Sequence, residues 1–326
     1  MKFLIVKLSS LGDVVCGLPA ADALKCAFPE CHITWIVDPR FAPVVSRCES
    51  VNEVVPFKPS FKLKQWPKFE EKFDSAIDLQ GLLKSGLLVA KARSNRKYGY
   101  HWQREGSQLF SQAVLPDSSS LHIVDQYVDV ARRVIEDFTG QEPERVEFRL
   151  SPRRVDVESV LQILPDVLPG RYVLLNPGAG WSSKQWPLKS FAFLANGIWE
   201  LGYIPILIGG AVASEKQAEE ELYSIAARES LHAPLSLIGK TTIGELIGLI
   251  SECAVHVGGD TGTTHIAAAL NRPAVGLYSI TRPERSCPYR QFANTIYSSE
   301  GLDKISHEEV INRVQSLVTK RQMVTR

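Results

Sequence analysis

The amino-acid sequence predicts an α/β protein made of two doubly wound parallel-sheet domains that face a central cleft. Its 326 residues exceed one ordinary hydrophobic core and fit two domains of about 150 residues each. Short apolar or β-branched runs alternate along the chain with longer helical patterns, which is typical of βαβ units with right-handed crossovers. The runs are continuously apolar, as strands covered by helices on both faces are.

Each half of the chain contains five predicted strands. In the first half they are Phe3–Val6, Ile33–Val37, Val51–Pro56, Ser75–Leu79 and Lys97–Tyr100. In the second half they are Tyr172–Asn176, Ile204–Ile208, Leu235–Ile238, Ala254–Val257 and Ala274–Tyr278. Helical patterns cover Val14–Phe28, Val155–Leu164, Ile266–Leu270 and His307–Val318.

The boundary between the domains is predicted within Glu142–Gly170. This segment contains four prolines and follows Gly140, a composition typical of linkers. We therefore expect a first domain over residues 1–155 and a second over residues 156–326. The final helix could pack back on the first domain.

Composition excludes several classes of protein. With 44% hydrophobic residues, 22% charged residues and a net charge of +1, the chain is typical of globular proteins, and we expect no nucleic-acid partner. It has no apolar run of the roughly 18 residues needed to cross a bilayer and no signal-peptide pattern at its start. Its six cysteines form no CxxC pair, so we expect reduced thiols in the cytosol.

Basic residues are concentrated between Leu79 and Arg104, where there is no acidic residue. They are Lys84, Lys91, Arg93, Arg96, Lys97 and Arg104. The segment is either a solvated surface or a binding site for an anionic partner.

The loop Lys7–Asp13, after the first strand, is the first candidate site, because ligands of doubly wound sheets bind at the carboxyl ends of the strands. Gly12 permits a tight turn, and Asp13 opens the next helix. Asp13 is either an N-cap, which stabilises a helix by about 1 kcal/mol, or a general base that takes a proton from a hydroxyl. Lys7 and Ser10 lie on the same turn and could position an anionic acceptor.

The loop Asn176–Pro187 combines small residues, hydroxyls and a lysine. Small residues at positions 178–180 let the backbone come close to a ligand, and Ser182, Ser183 and Lys184 follow. Lys184 either lies in solvent or offers a point charge that suits a phosphate.

The loop Gly258–His265 links an apolar strand to a helix. Thr261–Thr264 stand at the start of that helix, where free N–H groups and the positive end of the helix dipole form an anion site. The hydroxyls of Thr263 and Thr264, with His265, could add donors. Asp260 would have to hold neighbouring side chains or contact a sugar. The alternative is an ordinary capped helix with glycines at its turn.

Glu215 follows a fourth strand and is either an acceptor for ribose hydroxyls or a solvated carboxylate. Familiar motifs are missing: Ile238–Thr242 lacks the first glycine of a Walker A loop, and the sequence has no GxGxxG, HExxH or Gly-x-Ser-x-Gly. It also has no acidic triplet that would hold a metal diphosphate. A diphosphate site without a metal therefore remains.

Three segments together resemble the ADP-heptose:lipopolysaccharide heptosyltransferases, glycosyltransferase family 9, and most of all heptosyltransferase I. They are Ser9-Ser10-Leu11-Gly12-Asp13, the Pro-Gly-Ala loop that ends in Lys184-x-Trp-Pro, and Asp260-Thr-Gly-x-x-His265. Asp78–Ser85 and His101–Arg104 are similar to first-domain segments of heptosyltransferase I. The form Asn176–Gly180 departs from that type and occurs in heptosyltransferase II-like members.

The resemblance implies a GT-B fold of two Rossmann-like domains, the N-terminal one binding the acceptor and the C-terminal one the donor. It implies an inverting transfer of L-glycero-D-manno-heptose from ADP-heptose to Kdo–lipid A, with no metal and no cofactor. Asp13 and Lys184 would be the catalytic residues, as general base and as partner of the departing diphosphate. Donor binding would fall to Ser182, Ser183, Glu215, Asp260, Thr261, Gly262, Thr263, Thr264 and His265. Acceptor binding would fall to Lys7, Ser10, Lys62, Lys64, Lys84, Arg93, Gln103 and Arg104.

An acceptor of this kind implies a cytoplasmic protein in peripheral contact with the inner membrane. The alternatives are a family member that acts on a heptosylated core or on a protein, and a sugar-nucleotide-binding protein without activity.

Overall fold

The computed structural model describes residues 1–60, 66–139, 145–178 and 185–324. The chain divides into two compact units, Met1–Ser151 and Pro152–Arg326. The division lies inside the segment 142–170 where the boundary is expected, shortly before the expected end of the first domain at residue 155.

The first unit contains a six-stranded sheet with helices. Its strands are β1 (Lys2–Val6), β2 (His32–Val37), β3 (Glu53–Pro56), β4 (Ser75–Asp78), β5 (Lys97–Tyr100) and β6 (Gln112–Val114). Its helices are α1 (Leu11–Ala27), α2 (Ala42–Val45), α3 (Leu83–Lys91) and α4 (Ile123–Thr139). The strands are ordered β3-β2-β1-β4-β5-β6, and every neighbouring pair is parallel.

The second unit contains another six-stranded parallel sheet. Its strands are β7 (Tyr172–Asn176), β8 (Ile204–Leu207), β9 (Leu235–Ser236), β10 (Val255–Gly258), β11 (Ala274–Tyr278) and β12 (Thr295–Tyr297). Its helices are α5 (Arg154–Ile163), α6 (Leu188–Glu200), α7 (Ala213–Arg228), α8 (Ile243–Glu252), α9 (Gly262–Ala269), α10 (Pro283–Ser286) and α11 (His307–Val324). The strands are ordered β12-β11-β10-β7-β8-β9, all neighbours again being parallel.

Both sheets have the same strand order when each is numbered from its own first strand. β1 lies between β2 and β4, and β7 lies between β8 and β10. At such a point successive crossovers leave in opposite directions, so a crevice opens outside the carboxyl ends of the two adjacent strands. Each unit therefore has one topological switch point at which a ligand site is expected.

The ten predicted strands are all present, with ends shifted by at most two residues. The sequence analysis missed β6 and β12, two three-residue strands at the sheet edges. Because β6 is largely exposed, it lacks the continuous apolar run by which the other strands are recognised. A second correction concerns α1, which begins at Leu11 rather than at Asp13.

The final helix packs within the second unit. Val310, Val314 and Val318 of α11 are buried in the same apolar core as Leu194 and Ile198 of α6. No helix in the described ranges is long and apolar enough to cross a membrane.

Candidate active site

The first switch point is bordered by the loop after β1 and the first turn of α1. Ser10 is the N-cap of α1, and its backbone N–H and its hydroxyl donate to Asp13 Oδ2 over 3.1 and 2.9 Å. Asp13 is thus the third residue of the helix and half of a capping box rather than the N-cap. Because the side chain is only partly buried at the carboxyl edge of the sheet, this structural role leaves the general-base role open.

Gln80 holds the loop after β1 against the loop after β4. Its side-chain oxygen accepts hydrogen bonds from the backbone N–H groups of Leu8 and Ser9, each over 3.0 Å. The two loops border the same switch point, since β1 and β4 are neighbours. Gln80 therefore positions the turn that carries Ser10 and Asp13.

Lys7 lies inside the first unit rather than at its surface. The residue is 3% exposed, and its ammonium donates to the Tyr127 hydroxyl over 2.8 Å. Asp78, fully buried at the end of β4, has its pKa raised by burial, and the charge of Lys7 opposes that rise. These positions argue against the expected contact of Lys7 with an acceptor, because the ammonium is bonded to Tyr127 of α4 instead.

Three of the predicted acceptor residues follow β4 and β5 on the carboxyl side of the sheet. Lys84 is exposed in the first turn of α3. Arg104 is exposed, and its guanidinium carbon lies 5.3 Å from the centre of the Trp102 ring. Gln103 is more constrained, because its amide nitrogen donates to the Ser111 hydroxyl over 2.7 Å.

The basic segment does not form one surface, which corrects the expectation for Arg93. Helix α3 connects the carboxyl end of β4 to the amino end of β5, so the residues after α3 lie at the amino edge. There the Arg93 carbonyl accepts from the N–H of Phe73, which precedes β4, and its guanidinium donates to the Glu70 carbonyl over 2.7 Å. Arg93 is thus at the opposite edge from Asp13.

The second switch point joins the end of β7 to the turn between β10 and α9. Asn176, the last residue of β7, pairs in register with Gly258 and is 7% exposed. Its amide nitrogen donates to Thr263 Oγ1 over 2.7 Å and to Thr261 Oγ1 over 3.2 Å. One side chain therefore connects the end of β7 to the N-terminus of α9.

The threonine hydroxyls behave differently from the expectation. Thr264 is fully buried and donates its hydroxyl proton to the Gly259 carbonyl over 2.8 Å, while Thr263 is 7% exposed and contacts Asn176. Hydroxyl donation to a ligand is therefore favoured only for Thr261, the half-buried N-cap of α9. Among the described residues, the backbone N–H groups of positions 262–264 have no recorded acceptor, as the first turn of a helix leaves them.

Asp260 and His265 lie together beside this turn. His265 Nε2 is 3.3 Å from Asp260 Oδ1, and the two side chains are 7% and 17% exposed. Asp260 thus has a partner on the protein, which removes part of the difficulty of a carboxylate near a bound anion.

Glu215 lies in the first turn of α7, among glycines of two loops. A Cβ atom on Gly178 would lie 2.6 Å from Glu215 Oε1, and one on Gly209 or Gly210 would lie 3.1 Å from Oε2. Within the part of the chain that the structure describes, Oε2 is buried and has no hydrogen-bond partner. A buried carboxylate oxygen without a donor is costly, so this atom is suited to accept from a ligand.

Five predicted site residues lie outside the described residues. They are Lys62, Lys64, Ser182, Ser183 and Lys184. The described ranges contain no group of three or more His, Cys, Asp or Glu residues that could hold a metal ion.

No role was predicted from the sequence for three residues at the two switch points: Gln80, Asn176 and His256, whose Nε2 is 2.9 Å from Thr263 Oγ1. The available signal was a polar side chain at or near the carboxyl end of a buried strand. Their partners are distant in sequence, however, so their roles become visible only in the folded chain.

Solved structures with this architecture establish the fold. E. coli ADP-heptose LPS heptosyltransferase II matches with a TM-score of 0.79 and 22% identity, covering 99% of this chain and 100% of the other. E. coli heptosyltransferase WaaC with ADP matches with a TM-score of 0.75 and 23% identity, covering 97% and 100%. The predicted GT-B fold is therefore confirmed, and the chain has the architecture of a GT-B glycosyltransferase.

The family follows from the sequence match. The model of glycosyltransferase family 9 (heptosyltransferase) matches residues 63–313, and the chain belongs to this family. The resemblance inferred from the three loop segments is thereby confirmed, and the protein is a glycosyltransferase.

Relatives of both heptosyltransferase types are similar to the chain. Lipopolysaccharide core heptosyltransferase OpsX of Haemophilus influenzae is 24% identical over 299 residues, covering 90% of this chain and 83% of its own. Lipopolysaccharide heptosyltransferase 1 of Escherichia coli is 28% identical over 306 residues, covering 87% and 89%. Lipopolysaccharide heptosyltransferase 2 of the same organism is 26% identical over 318 residues, covering 94% and 90%. Heptose transfer in lipopolysaccharide core synthesis is common to these names, and they do not distinguish the two types.

Proposed function

We propose that this enzyme transfers L-glycero-D-manno-heptose from ADP-heptose to the Kdo sugar of Kdo–lipid A, with inversion and without a metal. The observation that carries the proposal is the pair of chemical groups found at the two switch points. A carboxylate lies in the crevice of the first sheet, at Asp13. In the crevice of the second lies a helix N-terminus whose first N–H groups have no acceptor among the described residues. A glycosyl transfer needs both, a base for the acceptor hydroxyl and a site that stabilises the departing diphosphate.

The first half of the reaction is assigned to Asp13. Its carboxylate takes the proton of the acceptor hydroxyl, and the hydroxyl oxygen forms a bond to the anomeric carbon of the heptose. The capping bonds from Ser10 orient the carboxylate by donating to Oδ2. General-base catalysis of this kind contributes about 10²- to 10⁴-fold to a rate.

The second half is assigned to the N-terminus of α9. As the bond from the anomeric carbon to the diphosphate oxygen breaks, its electron pair moves to the ADP leaving group. The N–H groups of Gly262, Thr263 and Thr264 and the helix dipole stabilise the charge that develops there. We also assign Lys184, which lies outside the described residues, to the diphosphate, and Asp260 with His265 to the heptose or diphosphate.

Glu215 is assigned to the ribose of the nucleotide. Its unpartnered, buried Oε2 accepts from a ribose hydroxyl, and the glycines around it leave room for the ligand to approach. E. coli WaaC, of the same fold, has been solved with ADP and with ADP-2-deoxy-2-fluoro heptose, which supports ADP-heptose as the donor.

A heptosylated core is the second candidate acceptor. It is favoured by the similarity to heptosyltransferase 2 and by the position of Arg93 at the far edge of the first sheet, which leaves fewer cations for an anionic acceptor. Lys84 and Arg104 are the described cations that we assign to carboxylates or phosphates of the acceptor.

The test is to incubate the protein with ADP-heptose and a panel of acceptors and to measure ADP release. We expect release with Kdo–lipid A, little with heptosyl-Kdo–lipid A, and none with either when Asp13 is replaced by Asn. Release only with the heptosylated acceptor would support the second candidate. Binding of ADP-heptose without release on any acceptor would favour a sugar-nucleotide-binding protein.

We further propose that the protein acts in the cytoplasm, in peripheral contact with the inner membrane, because its acceptor is a lipid. Co-sedimentation with vesicles that contain Kdo–lipid A, compared with vesicles that lack it, tests this. Equal recovery with both would contradict it.

A further inference from the structure

A buried histidine lies beneath the N-terminus of α9 and has no role in the reaction assigned above. His256, in the middle of β10, is fully buried, and its Nε2 is 2.9 Å from Thr263 Oγ1. Thr263 Oγ1 is in turn 3.1 Å from Thr261 Oγ1. The histidine is thus linked to the N-cap of α9 through one hydroxyl.

The directions of several protons in this network follow from chemistry alone. The side-chain nitrogen of Asn176 can only donate, so Thr261 and Thr263 each accept one hydrogen bond from it. The Gly259 carbonyl can only accept, so the Thr264 hydroxyl proton points to it. In the contact of 3.2 Å between Thr261 and Thr264, the proton must therefore come from Thr261.

The remaining choice depends on which nitrogen of His256 carries the proton. If Nε2 carries it, Thr263 accepts from both His256 and Asn176, and its own proton points to Thr261. The Thr261 oxygen then accepts from Asn176 and Thr263, so its single proton is not drawn to Thr263 and can turn from Thr264 to a ligand. If Nδ1 carries the proton, Thr263 donates to His256, and no proton is left between Thr261 and Thr263 once Thr261 donates outward.

The surroundings of His256 favour the first arrangement. Within the described chain, Nδ1 is buried and has no hydrogen-bond partner. A buried N–H without an acceptor is rarer in native proteins than an unused acceptor, so the proton belongs on Nε2. The ring is also neutral, because burial, with a further contribution from His265, lowers the pKa of His256 to about 3.

We infer that His256 is a positioning residue: its Nε2–H directs the Thr263 proton to Thr261, so that Thr261 can turn its own proton from Thr264 to the anion bound at the N-terminus of α9. The inference rests on the proposed function, which puts the donor diphosphate at that helix.

Two substitutions of His256 separate this role from simple packing. His256→Gln keeps an N–H donor at the place of Nε2, whereas His256→Leu fills the space without one. We expect the Leu variant to lower kcat for ADP release about tenfold, the loss expected for a hydrogen bond to a charged group, and the Gln variant to recover most of it. Equal losses in both variants would overturn the inference.

A double-mutant cycle tests the path through Thr261. Thr261→Val should lower kcat by a similar factor, and adding His256→Leu to it should cost nothing further. Additive losses would show that His256 does not act through Thr261. Val314→Ala, in the α11 core of the same unit, is the control for destabilisation and should leave kcat per folded enzyme unchanged.

The wild-type tautomer can be measured directly. Spectra correlating ¹⁵N with ring protons in ¹⁵N-histidine-labelled protein distinguish the two neutral forms, and the signal missing in His256→Gln assigns the residue. We expect an Nε2–H imidazole. An Nδ1–H imidazole in an enzyme that transfers heptose would overturn the role of His256, whereas a wild-type protein that does not bind ADP would overturn the proposed donor site instead.

Discussion

Asp13 has a structural and a proposed chemical role, and two substitutions should separate them. Asp13→Asn keeps an oxygen that can accept the two hydrogen bonds from Ser10 but cannot take a proton from an acceptor. Asp13→Ala removes both the capping bonds and the base. We therefore expect similar losses of activity and different losses of stability.

The magnitudes follow from the contacts. Loss of the general base should lower kcat about 10²- to 10⁴-fold in both variants, which is about 3 to 5 kcal/mol in activation free energy. Replacing the carboxylate by an amide weakens only its interaction with the helix dipole, about 0.3–1 kcal/mol of unfolding free energy. Removing the capping bonds as well should cost about 1 kcal/mol more.

The assay is ADP release under saturating donor and acceptor, with urea unfolding of the same preparations. Glu245→Gln is a matched control, because Thr242 donates its N–H and its hydroxyl to Glu245 Oε2 over 2.7 and 2.9 Å, the same capping arrangement on α8. It should change stability slightly and activity not at all. An Asp13→Asn enzyme with near-wild-type kcat would refute the general-base role.

Three further outcomes are expected. Because the pKa of His256 is lowered to about 3 in the folded protein from an ordinary value near 6.5, its contribution to stability is complete above about pH 6.5. This contribution is lost as pH falls toward 3, by up to about 1.4 kcal/mol per pH unit. Urea unfolding at several pH values should therefore show a shallower pH dependence of the unfolding free energy for His256→Leu than for the wild type. Because His265, which lowers this pKa further, is present in both proteins, identical pH dependences would contradict the burial argument. Gly178→Ala should weaken ADP binding about tenfold in calorimetry with little change in unfolding, because the new Cβ lies 2.6 Å from Glu215 Oε1; unchanged affinity would mean that the nucleotide does not use Glu215. Gly258→Ala should destabilise the protein by about 1–3 kcal/mol, because its Cβ would lie 3.0 Å from His256 Cε1, and a variant as stable as the wild type in urea would show that the site relaxes.

The sequence by itself was sufficient for the fold class, most of the strands and the family. Continuous apolar runs between helical patterns identify buried parallel strands locally, and ten of the twelve strands in the described residues were found in this way. The exceptions, β6 and β12, are short edge strands, which need few apolar residues. The rule that ligands bind where strands end also directed attention to the loops that border the two switch points.

Only the tertiary structure decided where the side chains of those loops lie and which partners they contact. Lys7 follows a strand as an exposed cation would, yet its ammonium contacts Tyr127, 120 positions away. Arg93 is close in sequence to Arg104, yet the intervening β5 carries the chain from one edge of the sheet to the other.

In the second crevice, too, the residues that meet are far apart in the sequence. Asn176 binds Thr261 across 85 positions, and Glu215 lies beside Gly178. Spacing along the chain predicts elements because helices and strands are local. It does not predict these partners, because strand order and crossover direction determine which loops meet, and both depend on the packing of the whole sheet.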